Sequence, residues 1–144
     1  MKTLFDTSVL VAASVRHHEH FPRAFEALHR VTAKRTRGLV CCHALAETYA
    51  VLTRLPVSPR IHPSEARRII EENVLAHFEV AALSPRRYID AIHTAADLGV
   101  MGGAFFDLLH LQAARANDCG AILTFNTAQF RRLAPDLASK IAAP

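Results

Sequence analysis

No apolar run in this sequence reaches the roughly 18 residues that a membrane-spanning helix requires. The start has one lysine and then an acid at position 6, without the basic opening and longer apolar region of a signal peptide. A cytoplasmic protein is expected. Cysteine is scarce, with Cys41, Cys42 and Cys119 alone. An odd count with two adjacent members makes a poor disulfide framework. Cys41-Cys42-His43 also lacks zinc-finger spacing. The three are read as buried thiols in a reducing compartment. Phosphate-binding loops are missing too: Gly102-Gly103 has neither the GxGxxG pattern nor a following Lys-Ser/Thr, so its expected role is a tight turn. There is no internal repeat, no low-complexity segment and no credible Ser-His-Asp set.

What is present is a chain of 144 residues, 51% hydrophobic, enough for one domain spanning 1–144 and against disorder. The net charge of +4 and pI of about 9.3 suit a polyanionic partner without requiring one.

Strand-like and helix-like segments alternate. Residues 2–5 read as a buried strand and 7–15 as a helix. Phe21, Ala24, Phe25, Leu28 and Val31 fall on one stripe of a helix over 21–36. Gly38 breaks that pattern, and 39–41 form a short strand. A helix over 44–54 stops before Pro56, and the proline-containing stretch 55–63 is a loop. A helix over 64–76 and a strand over 78–83 follow. Ser84-Pro85 is a cap followed by proline at the first helical position, and Gly99 ends that helix. A helix over 105–118, a strand over 121–125 and a possible fifth strand at 139–142 complete the plan. Strands separated by helices imply a parallel sheet of four to five strands in a three-layer α/β/α sandwich.

In such sheets ligands bind at the carboxyl edge of the strands. Asp6 follows the first strand. Glu47 lies one turn into the helix after the second. Asp107 sits in the first turn of the helix opened by Gly102-Gly103, and Asn126 follows the fourth strand. Each has an ordinary alternative. Asp6 can cap a helix, Glu47 can face solvent, Asp107 suits a helix start, and Asn126 suits a turn. Yet Phe105, Phe106, Leu108 and Leu109 surround Asp107, and an acid in such a run is expected to be buried, paired or metal-bound. All four also share one edge of the sheet.

The segments Phe-Asp-Thr-Ser-Val-Leu at 5–10, Ala-Leu-Ala-Glu-Thr-Tyr at 44–49, Gly-Gly-Ala-Phe-Phe-Asp-Leu-Leu at 102–109 and Ile-Leu-Thr-Phe-Asn-Thr-Ala-Gln-Phe at 122–130 resemble the four motifs of PIN-domain ribonucleases, and most of all the VapC toxins of toxin–antitoxin pairs. The resemblance runs from residue 2 to about 133. It implies a magnesium- or manganese-dependent endoribonuclease that hydrolyses RNA phosphodiester bonds by metal-activated water. Asp6 and Asp107 are then the direct metal ligands, Glu47 the third essential acid, and Asn126 stands where many members have a fourth acid. Ser8 and Thr124 match hydroxyls that brace the carboxylates. A cognate antitoxin, lying across the cleft, and a homodimer using the apolar helices between 21 and 76 are also implied. The departure at Asn126 suggests one resident metal and a second recruited with substrate. Three close carboxylates should raise at least one pKa, and on this basis Asp6→Asn is expected to raise the metal-free melting temperature while abolishing cleavage.

Other features are given ordinary readings. His17, His18 and His20 around Glu19 form a solvated helix entry, at most an adventitious zinc site. His43 is read as a helix cap, His110 and Gln112 as neighbours of the cleft, and Asp90, His93 and Asp97 as a solvated face. The basic pairs Lys34-Arg35, Arg67-Arg68, Arg86-Arg87 and Arg131-Arg132, with Arg54, are candidates to track RNA phosphates. The rival readings are a catalytically weak PIN-like module that binds RNA or protein, a phosphatase of the haloacid dehalogenase type, which lacks its second Asp here because Ser8 stands there, and a receiver-type phospho-acceptor domain.

Overall fold

A computed structural model describes residues 1–144. Five parallel strands form one sheet in the order β3-β2-β1-β4-β5. They are β1 (Lys2–Phe5), β2 (Arg37–Cys41), β3 (Glu79–Ala81), β4 (Ala121–Leu123) and β5 (Ile141–Ala142). The register is set by pairs such as Leu4 with Leu39 and Leu4 with Ile122. Strand order runs one way from β1 to β3 and the other way from β1 through β4 to β5. The switch lies between β1 and β4, where the loops diverge and open a crevice at the carboxyl ends.

The helices are α1 (Thr7–Ser14), α2 (Phe21–Thr32), α3 (Cys42–Arg54), α4 (Pro63–Ile69, continued by a π-helical turn over Ile70–Leu75), α5 (Pro85–Leu98), α6 (Phe105–Ala116) and α7 (Thr127–Leu133). Alternation along β1 sends Leu4 and Phe5 to opposite faces. Leu4 packs with Leu39, Leu109, Leu111 and Phe130 in the core under α5, α6 and α7. Phe5 packs with Val9, Leu10, Leu28 and Phe78 in the core under α1, α2 and α3. The sheet is therefore covered on both faces, as the continuous apolar strands require. No helix is long and apolar enough to cross a membrane.

Two expectations change. α2 ends at Thr32 rather than 36. Lys34 takes a left-handed φ of 58°, and the N–H groups of Arg35 and Thr36 return to the Arg30 carbonyl. A left-handed closure of this kind usually falls on glycine, so a lysine there leaves no mark in the sequence. Cys42 is exposed, whereas Cys41 and Cys119 are buried free thiols. Cys41 ends β2 and faces a core, and Cys42 opens α3 on the outer side. The capping of α5 matches expectation: Ser84 Oγ accepts from the Arg87 N–H, and Gly99 closes the helix at φ 68°.

Candidate active site

The chain leaves β1 at Phe5 and enters α1 at Thr7, so Asp6 occupies the turn between them. Its backbone N–H donates to the Leu123 carbonyl of β4 at 3.0 Å, which ties the ends of β1 and β4 together. Asp6 holds the N-cap position of α1, but its side chain makes no capping bond. The carboxylate instead takes three other donors. Ser8 Oγ donates to Oδ2 at 2.7 Å and Thr124 Oγ1 to the same oxygen at 2.8 Å. His110 Nε2 donates to Oδ1 at 2.9 Å. Asp6 is only 5% exposed, and burial pushes its carboxyl up. The hydrogen bond and charge of His110 and the two hydroxyls outweigh burial and hold it at about 2, below the ordinary 3.8.

The bracing hydroxyls are themselves held. Ser8 Oγ accepts from the Phe125 N–H at 3.2 Å, and Thr124 Oγ1 accepts from the Asn126 N–H at 3.0 Å. The segment after β4 is thus pinned to the segment after β1 through side chains, and Asp6 has one orientation.

Glu47 comes from α3 and Asp107 from the first turn of α6. Both line the same cleft as Asp6, Ser8 and Asn126, a volume of about 470 Å³. Gly102, at a left-handed φ of 60°, opens the 3-10 turn that leads into α6 and sets the height of Asp107. Asp107 takes no donor. Burial, then the charges of Asp6 and Glu47, push its carboxyl up to about 6, with His110 pulling the other way. The structure thus gathers Asp6, Ser8, Glu47, Asp107 and Asn126 around one cavity, with Thr124 behind Asp6. Asn126 is exposed at its rim.

Three readings change. His110 is more than a neighbour: it is fully buried, bonds Asp6, and has Nε2 4.0 Å from Glu47 Oε1. Its position one turn beyond Asp107 on α6 was the available signal, since i and i+3 share a helix face. The loop before α2 is not merely solvated. His18, Glu19 and His20 line the cleft, and His20 stacks on Phe125 at 4.3 Å and 14°. His43 caps nothing. Its ring stacks on Phe106 and meets His110 edge-on at 4.4 Å, with both ring nitrogens buried and unpartnered. Burial first, then the charge of His110, pull its pKa down to about 3, with Asp6 opposing.

Several basic candidates are already engaged. Arg131 donates to the Ile141 carbonyl, Arg87 to Gln112, and Arg86 and Arg67 pair with Asp90 and Glu71. Arg23, which lines a neighbouring cavity, bonds His20 and sits 5.7 Å from the Phe125 ring centroid.

The model of the PIN domain matches residues 3–135. The chain belongs to the PIN-domain family. Ribonuclease VapC27 of Mycobacterium tuberculosis is 39% identical over 109 residues, covering 76% of this chain and 74% of that protein. Ribonuclease VapC40 of the same organism is 36% identical over 104 residues, 72% of each chain. Among solved structures, VapC20 of Mycobacterium tuberculosis, a sarcin-ricin loop cleaving toxin, superposes with a TM-score of 0.65 at 16% identity, over 83% of this chain and 86% of that one. VapBC2 from Rickettsia felis, bound to a promoter DNA fragment, gives 0.63 at 20% identity over 92% of each chain. These two likenesses carry the PIN fold.

Proposed function

We propose that the chain is a VapC-type toxin endoribonuclease: a cytoplasmic PIN-domain hydrolase, one domain over 1–144, that cuts RNA phosphodiester bonds with a magnesium or manganese ion held by Asp6 and Asp107. The observation that carries this reading is the convergence of Asp6, Glu47 and Asp107 in one cleft at the strand switch point. The likeness to VapC27 and VapC40 supports the toxin branch.

The residues fit such a cation. Asp107 is driven up to about 6 first by burial and then by the facing carboxylates of Asp6 and Glu47, a charge cluster that a cation would relieve. The acids offer oxygen donors, which suit magnesium and manganese. A bound cation would supply Lewis acidity at the phosphodiester and favour ionisation of water.

The chain's own residues do the positioning. Ser8, Thr124 and His110 lock Asp6 in one orientation and keep it ionised. Glu47, half-exposed on the same cavity, is placed to orient an attacking water. At the rim, His20 and Phe125 form a flat stacked surface beside the Arg23 guanidinium. Stacking and a cation are the two features a single-stranded RNA segment uses. Arg54, exposed on α3 and outside any ion pair, can extend that path. The partner is a small antitoxin laid across the cleft. A homodimer is supported by exposed Phe25, Tyr49 and Leu75 on the helical elements between residues 21 and 76.

A second reading, binding without cutting, is favoured by Asn126 alone, which offers no charge at the cleft rim. A labelled RNA panel with magnesium, manganese or EDTA separates the two. Cleavage that needs metal and disappears in Asp6→Ala and Asp107→Asn is expected. Salt-sensitive RNA binding with no cleavage by the parent would replace the nuclease with the binding module.

A further inference from the structure

We propose that His43, Glu47 and His110 form a second cation site, selective for a transition metal of the zinc type, which shares Glu47 with the carboxylate cluster and opposes RNA cleavage when filled. His43 and Glu47 lie at positions i and i+4 of α3, so they leave the helix on one face, one turn apart. α6 brings His110 against them. One ligand atom from each of the three residues lies within 4.8 Å of the others. Zinc–nitrogen and zinc–oxygen bonds of roughly 2.0–2.2 Å set tetrahedral donors about 3.4 Å apart, so the three atoms must close by as much as about 1.4 Å. Rotation of the half-exposed Glu47 side chain closes part of that gap, and the His43 ring, which no hydrogen bond holds, closes the rest.

The imidazoles are prepared for a metal. Both nitrogens of His43 and Nδ1 of His110 are buried without a hydrogen-bond partner. Orphaned polar atoms of this kind are unfavourable, and native interiors rarely keep them. Nothing has to be broken for His43 to become a ligand. At His110 the metal would take Nε2, the ring proton moving to the free Nδ1. The Asp6 carboxylate, 2.9 Å from that nitrogen, would then be left beside the ion as a fourth donor.

Donor type separates this site from the carboxylate cluster. Imidazole suits zinc, cobalt and nickel, whereas magnesium prefers oxygen ligands and holds its waters. Magnesium would therefore not compete well. The consequence follows from sharing: an ion on the two histidines occupies Glu47 and the Oδ1 of Asp6, which then no longer serve the phosphodiester. This consequence rests on the proposed nuclease reading, but the binding does not.

The test is calorimetric titration of the full chain with zinc chloride in excess magnesium, for the parent, His43→Phe and His18→Ala. Phenylalanine keeps the ring against Phe106 and removes both nitrogens. The parent is expected to bind one zinc ion per chain. His43→Phe is expected to bind roughly a hundredfold more weakly, the upper range for disturbing even a supporting group. It should keep its magnesium-supported cleavage and escape inhibition by zinc. His43→Gln gives the same comparison if the phenylalanine variant melts early. Visible absorption of a cobalt-loaded parent, lost in either variant, supports imidazole ligation independently. No zinc binding by the parent in excess magnesium, or equal binding by both His43 variants, overturns the site. Binding lost only in His18→Ala overturns it too, by placing the ion on the loop before α2. A parent that binds zinc through His43 but cuts no RNA upholds the site and removes the nuclease reading.

Discussion

The two sides of the cleft carry the same chemical group in opposite states. On the inner wall, Asp6 is enclosed by Ser8, Thr124 and His110 and held at about 2. On the outer wall, Asp107 has no donor and sits at about 6. Burial pushes both carboxyls up, so burial does not separate them. The difference lies in hydrogen bonding to the ionised form: three donors converge on one acid, and two negative charges face the other. Position at a helix start does not separate them either, since Asp6 holds the N-cap of α1 and Asp107 lies in the first turn of α6, where negative charge is favoured in both cases. The inner wall is a finished polar network, and the outer wall is finished only by something that brings positive charge.

The substitution that breaks this contrast most severely is Asp6→Asn. It is expected to remove cleavage and also to lower stability by about 2 kcal/mol near neutral pH, from the displacement of its pKa from 3.8 to about 2. The sign follows from a depressed folded pKa: the stabilisation is present above about pH 3.8 and is lost as pH falls through about 2. Chemical denaturation of parent and variant at pH 7 and at pH 2 measures it. This reverses the direction expected when the carboxylates are treated as equivalent. A rise in melting temperature would mean that the three donors do not hold Asp6.

Asp107→Asn should also remove metal-dependent cleavage but shift stability the other way. A carboxyl whose folded pKa is raised binds its proton more tightly folded than unfolded, so the metal-free parent loses stability between about pH 3.8 and about 6. The variant has nothing to ionise. Its melting temperature should exceed that of the parent above pH 6 and match it below pH 4. Magnesium should raise the melting temperature of the parent and leave the variant nearly unchanged. Equal melting curves at pH 7 would remove the repulsion from the account.

The smallest expected effect is at the rim. Asn126→Asp adds a charge at an exposed position, where screening by water limits it. Metal affinity should rise severalfold, roughly the 1 kcal/mol of an exposed charge pair. Unchanged affinity in a magnesium or manganese titration would show that the side chain does not face the ion.

Much of this was legible along the chain, for identifiable reasons. β1 is an apolar run that stops at an acid, and the strand expected over 121–125, which ends at Leu123, is followed by Asn126, so parallel strands bring both ends to one edge. The i and i+4 periodicity marked the helices, and Ser84 and Gly99 marked the ends of α5. The end of α2 was hidden because Lys34 closes it without glycine. His110 was undervalued because a histidine within Leu108–Leu111 looks like part of an apolar face. His43 carried no signal, since its importance is the absence of any partner, which only packing reveals. His20 stacks on Phe125 across a sequence gap no local pattern spans.

By itself, the sequence determined the layer order and the acids that reach the carboxyl edge; the hydroxyls of Ser8 and Thr124 were implied by the resemblance to the PIN motifs. Strand and helix periodicity are local, and parallel connections carry them to one end of the sheet. Only the tertiary structure decided how each acid behaves. A carboxyl's pKa depends on which donors and charges come within a few ångströms, and apart from Ser8 those come from the end of β4, α3 and α6, far from Asp6 in sequence. That is why His110 became the partner of Asp6, and why His43 was left with two buried nitrogens and nothing to bond.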